Sequence, residues 1–337
     1  MANRVGVGYR SICALAREAT WGGNIAGFRF TVPIRSETME QTIENMISGT
    51  MFGKSRYRWM PGLITVGGNI VMEAQPRGQG NIWRALLGSV ATTNVVPNYV
   101  WKHTYTIADN LPSLQIEIFK DMIDTLSGDE ISFLYQGCKI NTLTLAADIG
   151  EFVIITPTFV GKEEITQANQ IPVLDIQNLR VFNFAQGVFK VGDSEANIYR
   201  FDITINNNLS TDRNRKLFSR YIKEPVRNAP IEVTGNIELN WEYSEDTKEW
   251  AYTFYNNFVN GQESGFEITF EGGSLATDKK EYLKLKCDRI FFNGESPKVG
   301  GPGIIPITFP FTAMYNTVTS NAELVVELQT GTSDPDD

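Results

Sequence analysis

A chain of 337 residues with 42% hydrophobic and 20% charged residues has enough apolar material for two cores of ordinary size, which excludes an intrinsically disordered chain. The net charge of -9 is uneven, with 14 Lys/Arg against 15 Asp/Glu in residues 1–168 and 16 against 24 in residues 169–337; sequence-specific DNA binding through a basic face is therefore not expected. Three widely spaced cysteines (Cys13, Cys138, Cys287) argue against a disulfide framework, and no apolar run has the length expected of a secretory leader or a membrane span.

In chain order, residues 1–25 read as an arm or irregular lead-in with one short apolar piece, Ile12 to Ala16. Gly27–Val32 alternates with period two and predicts a strand ended by Pro33. Ser36 to Gly49 places Met39, Ile43, Met46 and Ile47 at i, i+4, i+7 and i+8, the pattern of an amphipathic helix capped by Ser36 and stopped by Gly49. A basic, aromatic loop with Lys54, Arg56, Arg58 and Trp59 leads to a strand over 63–72 that carries Val66-Gly67-Gly68-Asn69-Ile70. Asn81 to Gly88 predicts a short helix around Trp83, and strands follow at 101–107, 114–119, 131–135, 139–146 and 152–159.

The order then recurs. Phe201–Ile205 alternates as a strand, and Thr211 to Glu224 reads as a helical piece made basic by Arg213, Arg215, Lys216, Arg220 and Lys223. Val233-Thr234-Gly235-Asn236-Ile237 repeats the V-x-G-N-I pattern on a strand over 231–241. A helix over 248–259 carries Trp250, and strands are expected at 265–270, 282–287, 304–311 and 323–329. One offset of 167 positions carries Gly68, Ile70 and Trp83 onto Gly235, Ile237 and Trp250, so these six residues are landmarks of two copies of one unit. Cys138 and Cys287 also fall at comparable places in the two copies. The expected linker lies near 165–176.

Residues that carry chemistry are scarce. His103 is the only histidine and sits in a strand-like segment, where a hydrogen-bonded structural role is expected over a general base. The cysteines lack C-x-x-C spacing, and neither Arg77-Gly78-Gln79-Gly80 nor Gly300-Gly301-Pro302-Gly303 matches a phosphate-binding loop, so both read as turns. No catalytic residues, cofactor or metal site are predicted, and the chain is not expected to be an enzyme. The two basic segments occupy the same place in each copy of an otherwise acidic protein. Lys54, Arg56, Arg58, Arg213, Arg215, Lys216, Arg220 and Lys223 are thus candidate contacts to an acidic surface on a neighbouring copy.

In these features the sequence resembles the tail tube (major tail) proteins of long-tailed bacteriophages. The resemblance is carried by Glu18-Ala19-Thr20-Trp21-Gly22, Gly68-Asn69-Ile70-x-x-Glu73, Trp83 to Gly88 and Leu111-Pro112-Ser113-Leu114. It extends through Phe201-x-Ile203-x-Ile205-Asn206-Asn207-Asn208-Leu209, Gly235-Asn236-Ile237 and Ile307-Thr308-Phe309-Pro310-Phe311-Thr312-Ala313.

It implies a mainly β protein: β-sandwich or barrel-forming sheets with short flanking helices, in two tandem tail-tube-like units. These would span 1–168 and 169–330, with 331–337 as an acidic flexible tail. It implies rings, favoured as trimers with pseudo-sixfold symmetry, stacked head to tail into a hollow tube, with insertions at about 36–62 and 209–229 reaching the adjacent ring. The implied partners are other copies of the chain, a tape measure protein, tail initiator and terminator proteins, and double-stranded DNA passing through without sequence-specific binding. No membrane is involved, and the implied location is the virion tail, assembled in the host cytoplasm. The alternative reading is a two-domain β-sandwich module binding carbohydrate or a cell surface, which the aromatic supply of Tyr57, Trp59, Trp101 and Trp241 permits.

Overall fold

A computed structural model describes residues 8, 11–26, 29–49, 56, 58–120, 131–168, 180–192, 194–211, 214–241, 250–317 and 323–337, without the side chains of 167 and 168. The described chain is mainly β, with two α-helices. The first half holds β1 (Ile12–Arg17), β2 (Phe30–Val32), β3 (Ser36–Glu37), β4 (Glu40–Ile47), β5 (Trp59–Glu73), α1 (Gly80–Leu87), β6 (Gly88–Val96) and β7 (Val100–Ile107). It continues through β8 (Leu114–Lys120), β9 (Ile131–Asp148), β10 (Ile154–Gly161) and β11 (Glu163–Ala168). The second half holds β12 (Gly187–Val191), β13 (Ser194–Glu195), β14 (Arg200–Asn206), β15 (Glu232–Asn240), α2 (Trp250–Asn260), β16 (Ser264–Ala276), β17 (Lys279–Phe292), β18 (Pro306–Ala313) and β19 (Val325–Thr330).

Alternation of apolar and polar residues makes these segments strands with one core-facing side. In β14, Phe201, Ile203 and Ile205 are buried while Asp202, Thr204 and Asn206 are not. Antiparallel ladders join the strands into a broad sheet of order β3/β4–β5–β10–β9–β14–β15–β18–β17. β9 belongs to two layers. Its first part, Ile131–Cys138, pairs with β8 and β11, and its later part, Lys139–Asp148, pairs with β10 and β14. The two halves of the chain are joined by β14 on β9, from Arg200↔Asp148 to Asn206↔Thr142, and by β19 on β7, from Val325↔Thr106 to Thr330↔Trp101.

The same set of pairings occurs in each half, in the same register. Ser36↔Val71, Glu37↔Ile70, Glu40↔Gly67 and Gln41↔Val66 join β3 and β4 to β5. Arg200↔Glu238, Phe201↔Ile237, Thr204↔Thr234 and Ile205↔Val233 join β14 to β15. On the opposite edges, Ile155↔Met72 and Phe159↔Gly68 answer to Ile307↔Leu239 and Phe311↔Gly235. A β-bulge recurs too, between Leu114 and Ile116 on β8 and between Ser264 and Phe266 on β16. The first half differs in carrying the β6–β7 hairpin between its helix and β8, where α2 leads almost directly into β16.

Each helix closes one part of the core. Ile82, Trp83, Leu86 and Leu87 of α1 have no solvent exposure, and each such side chain contributes roughly 1.5–3 kcal/mol by leaving water. On α2, Trp250 and Phe254 are buried, and the Phe254 ring lies 4.7 Å from that of Phe292 and 5.8 Å from that of Phe309.

Several expectations are corrected. Ser36–Gly49 is not a helix but β3 and β4, and Ile43, Met46 and Ile47 are exposed. A separation of four residues suits a strand as well as a helix, and the ladder to β5 decides between them. Within 211–224 the described residues form no helix but an irregular loop with a turn at Leu217–Phe218. Ile12–Arg17, expected as lead-in, is β1, a buried strand between β2 and β8. Part of the expected linker, up to Ala168, is β11, and residues 169–176 lie outside the described residues. Cys138 and Cys287 lie on corresponding strands but out of step, because Phe266↔Cys287 answers to Ile116↔Tyr135. Residues 331–337 do not form a free tail. Asp336 and Asp337 are buried and bonded to arginines of the first half.

Candidate assembly surfaces

The broad sheet has one face in the core and one face outside it, and the outer face has a marked composition. Pairing sets Thr156 near Thr144 on β9, then Thr204, Thr234 and Thr312 on successive strands, so a row of threonines crosses from the first half into the second. At the junction of the halves the Thr144 and Thr204 hydroxyls are 3.0 Å apart. A neighbouring row holds Thr38, Asn69, Thr158, Thr142, Asn206 and Glu232. Another holds Asp148, Arg200, Glu238 and Thr308, with Arg200 3.9 Å from Asp148 in an exposed pair that contributes little to stability. Carboxylates (Asp148, Asp202, Glu232, Glu238) therefore outnumber the single guanidinium of Arg200 on strands β9, β14 and β15 of this face, against a neutral ground of hydroxyls and amides.

The second surface is a projecting ribbon. β10 covers the edge of β5 only as far as Val66, so the ribbon of β4 and the first residues of β5 extends beyond it. Ile43, Met46, Ile47, Trp59 and Met60 are all exposed on this ribbon, Trp59 by 65%. The edge left open at Gly62–Thr65 is covered by the second-half loop. The Ile64 amide donates to the Arg220 carbonyl at 3.0 Å, and Arg220 Nε donates to the Gly62 carbonyl at 2.8 Å. Arg215 donates through Nη1 to the Ile64 carbonyl at 3.1 Å and through Nη2 to Thr65 Oγ1 at 3.0 Å. These bonds satisfy backbone groups that an edge strand otherwise leaves open. They also present the turn beyond them: Phe218 is fully exposed with φ +66°, and Leu217 is 84% exposed. A bulky residue in the left-handed region carries strain of about 1–3 kcal/mol, which is not offset here by burial of its ring.

The predicted contact residues divide accordingly. Lys54 and Arg213 lie outside the described residues. Arg56 and Arg58 flank the base of β5 on the exposed end of the ribbon, where the Arg58 carbonyl accepts from the Ser48 amide at 3.0 Å. Lys216 and Lys223 are exposed on the loop, and the Lys223 amide donates to the Asn214 carbonyl at 2.6 Å. Arg215 and Arg220 are engaged within the chain. Leu217 and Phe218 beside them, which their spacing assigns to the apolar face of a helix, stand exposed on the turn instead.

The landmark residues are structural. Gly68 and Gly235 sit at matching steps of β5 and β15, and a Cβ at either would run into a carbonyl oxygen of the adjoining strand segment, Thr38 or Asp202. Gly68 has φ +147°, a conformation that side chains rarely adopt. Ile70 and Ile237 are fully buried, as is Trp83, while Trp250 donates its indole N–H to the Glu195 carbonyl at 2.9 Å.

Several titratable groups inside the fold find partners there. His103 is buried, with Nδ1 2.9 Å from Thr92 Oγ1 and Nε2 3.1 Å from the Thr332 carbonyl, and burial lowers its pKa. The carbonyl partner fixes the proton on Nε2, so Nδ1 accepts from the Thr92 hydroxyl. Burial raises the pKa of Glu18, against three hydrogen bonds that favour its ionised form, from Ser113 Oγ and the amides of Gly22 and Gly137. The Cys13 thiol is pushed up to about 12 by burial, which leaves it an unreactive apolar group. Among the described residues no three His, Cys, Asp or Glu side chains gather as a metal site, and no helix is long and apolar enough to cross a membrane.

Two comparisons with known proteins bear on these surfaces. A family model described as "Phage tail tube protein" matches residues 8–313. No curated protein matches the chain.

Proposed function

Because the chain belongs to the phage tail tube protein family, and so is a structural component of the virion tail, we propose that three copies close into a pseudo-sixfold ring and that rings stack into the hollow tube. The observation that carries this reading is the broad sheet. Each half contributes a matching set of strands, β3/β4–β5–β10–β9 and β14–β15–β18–β17, with one face buried and one face open. We read the halves as two tandem units, one on residues 1–168 and one on 169–330, turned by about 60° from each other around the ring axis. Repetition of the β9–β14 relation between copies then closes the sheet and removes its edges.

In this reading the open face is the inner wall. Threonine and asparagine give it a hydrated, neutral surface, and the carboxylates of Asp148, Asp202, Glu232 and Glu238 repel phosphates, so DNA slides and does not adhere. The ribbon and the 209–229 loop make the contact between stacked rings. Arg215 and Arg220 brace the loop, and the contact itself passes through Leu217 and Phe218 with the exposed apolar residues of the ribbon. Lys54, Arg56, Arg58, Arg213, Lys216 and Lys223 supply charge around that contact. Further partners of the tube are a tape measure protein in the lumen and initiator and terminator proteins at its ends, and assembly takes place in the host cytoplasm.

Negative-stain microscopy of concentrated purified protein, with image averaging of end views, tests the reading. Rings of three copies and stacked tubes are the expected result. Protein that stays monomeric even with initiator and tape measure proteins supplied overturns it.

A further inference from the structure

α1 begins without the usual means of satisfying its first amides. Gln79, at the N-cap position, makes no capping bond with its side chain, and the first turn holds no acidic residue. The missing acceptors come from the far end of the sequence. The Gly80 amide donates to the Asp337 carbonyl and the Asn81 amide to the Asp336 carbonyl, each at 3.1 Å. The Gly78 amide donates to Asp337 Oδ1 at 2.9 Å, and Arg77 holds Asp337 Oδ2 through Nε at 3.0 Å and Nη2 at 2.8 Å. Asp336 is gripped from two elements, by Arg84 Nη1 of α1 at 2.8 Å and by Arg17 Nε of β1 at 3.0 Å. Both aspartates are more than nine-tenths buried.

The approach is shaped as well as charged. A side chain at Gly80 would run into the Pro335 carbonyl, so glycine there lets the peptide backbone lie against the helix start. Tyr105 Oη donates to the Pro335 carbonyl at 2.7 Å, and His103 meets the Thr332 carbonyl, so β7 grips the segment from its other side. Internal bonds hold the segment in a bent form: the Asp334 amide donates to Thr332 Oγ1 and the Asp336 amide to Asp334 Oδ1. Three guanidiniums, three main-chain amides at a helix start and a tyrosine hydroxyl thus converge on one acidic peptide.

We propose that Arg17, Arg77, Arg84 and the Gly78–Asn81 amides form a receptor for an acidic peptide, and that residues 332–337 act there as a detachable cap. The cap ties α1 and the β6–β7 hairpin of the first half to the strand β19 that precedes it. Its release frees the start of α1 while the β9–β14 ladder, which contains none of these groups, holds the two halves together. This proposal does not depend on tube formation, and its test reads the isolated chain.

A chain ending at Gly331 is titrated with the synthetic peptide Thr-Ser-Asp-Pro-Asp-Asp by calorimetry. Saturable binding that weakens with salt is expected, with no binding of the peptide whose last two aspartates are asparagines and none by the chain that retains its own segment. A truncated chain that keeps its β signature by circular dichroism yet does not bind at millimolar peptide overturns the proposal. Should the truncated chain fail to fold, the full chain with Asp336→Asn and Asp337→Asn is measured by hydrogen exchange. Amides of Gly80–Trp83 are expected to exchange about fivefold faster or more, the factor a lost helix cap produces, with β9 and β14 unchanged. Unchanged exchange at Gly80–Trp83 overturns the proposal.

Discussion

Single positions carry distinct physical demands. At Gly68 and Gly235 the demand is steric, since a methyl group meets a neighbouring carbonyl oxygen in each strand, and at Gly235 it also meets the Phe311 ring. Gly68→Ala and Gly235→Ala are each expected to cost about 2–3 kcal/mol, read as a lowered urea midpoint at unchanged slope. An unshifted midpoint would mean the strands part easily there. At His103 the demand is on protonation. Its folded pKa lies below the ordinary 6.5 because burial disfavours the imidazolium, so the neutral ring contributes stability above that value. That contribution is lost as pH falls from 6.5 through the lowered folded value. The thermal midpoint of the parent chain is expected to drop more between pH 7 and pH 5 than that of His103→Gln, which keeps a donor for the Thr332 carbonyl. Parallel midpoints in the two proteins would remove His103 from the pH response.

At the scale of elements, the second-half loop separates bracing from contact. Arg215 and Arg220 bond main-chain carbonyls of the ribbon, so Arg215→Ala with Arg220→Ala is expected to loosen the loop and the Gly62–Thr65 edge. Hydrogen bonds from charged donors are worth about 1.5–3 kcal/mol, which predicts faster amide exchange at Ile64. Leu217→Ser with Phe218→Ser removes exposed apolar surface and should leave stability unchanged while abolishing tube growth in light scattering. Tubes of normal length from that variant would place the stacking contact elsewhere. The ribbon also illustrates what a local pattern leaves open. Met39, Ile43 and Ile47 recur at a spacing shared by helix and strand, and only the partner strand β5 selects between them. By contrast α1 and α2 were legible, because Trp83 and Trp250 each lead an apolar cluster with helical spacing and a following glycine.

For the whole molecule, the joint between the halves is the central feature. β14 lies on β9 over seven successive residue pairs, Arg200↔Asp148 through Asn206↔Thr142, so one buried layer and one open face pass without a break from the first half to the second. If the open face is the wall of a tube, then Asp202→Lys with Glu238→Lys is expected to leave rings intact and make the tubes retain DNA at low salt. Retention measured by co-sedimentation should fall as salt rises. Tubes that ignore DNA after both reversals would turn this face away from the lumen.

The sequence by itself determined the β-rich class, the repeat of Gly68-Asn69-Ile70 as Gly235-Asn236-Ile237, the two tryptophan helices and the absence of a recognisable catalytic motif. These follow from local periodicity and from residue types whose spacing does not depend on distant neighbours. Tertiary structure alone decided the rest. It made Ile12–Arg17 a core strand, because β2 and β8 flank it, and it engaged Arg215 and Arg220 with the ribbon, because β5 offers them carbonyls. It also drew Asp336 and Asp337 onto α1, whose own sequence supplies no cap. In each case the deciding partner lies far away along the chain, where neither propensity nor period in the local sequence carries information about it.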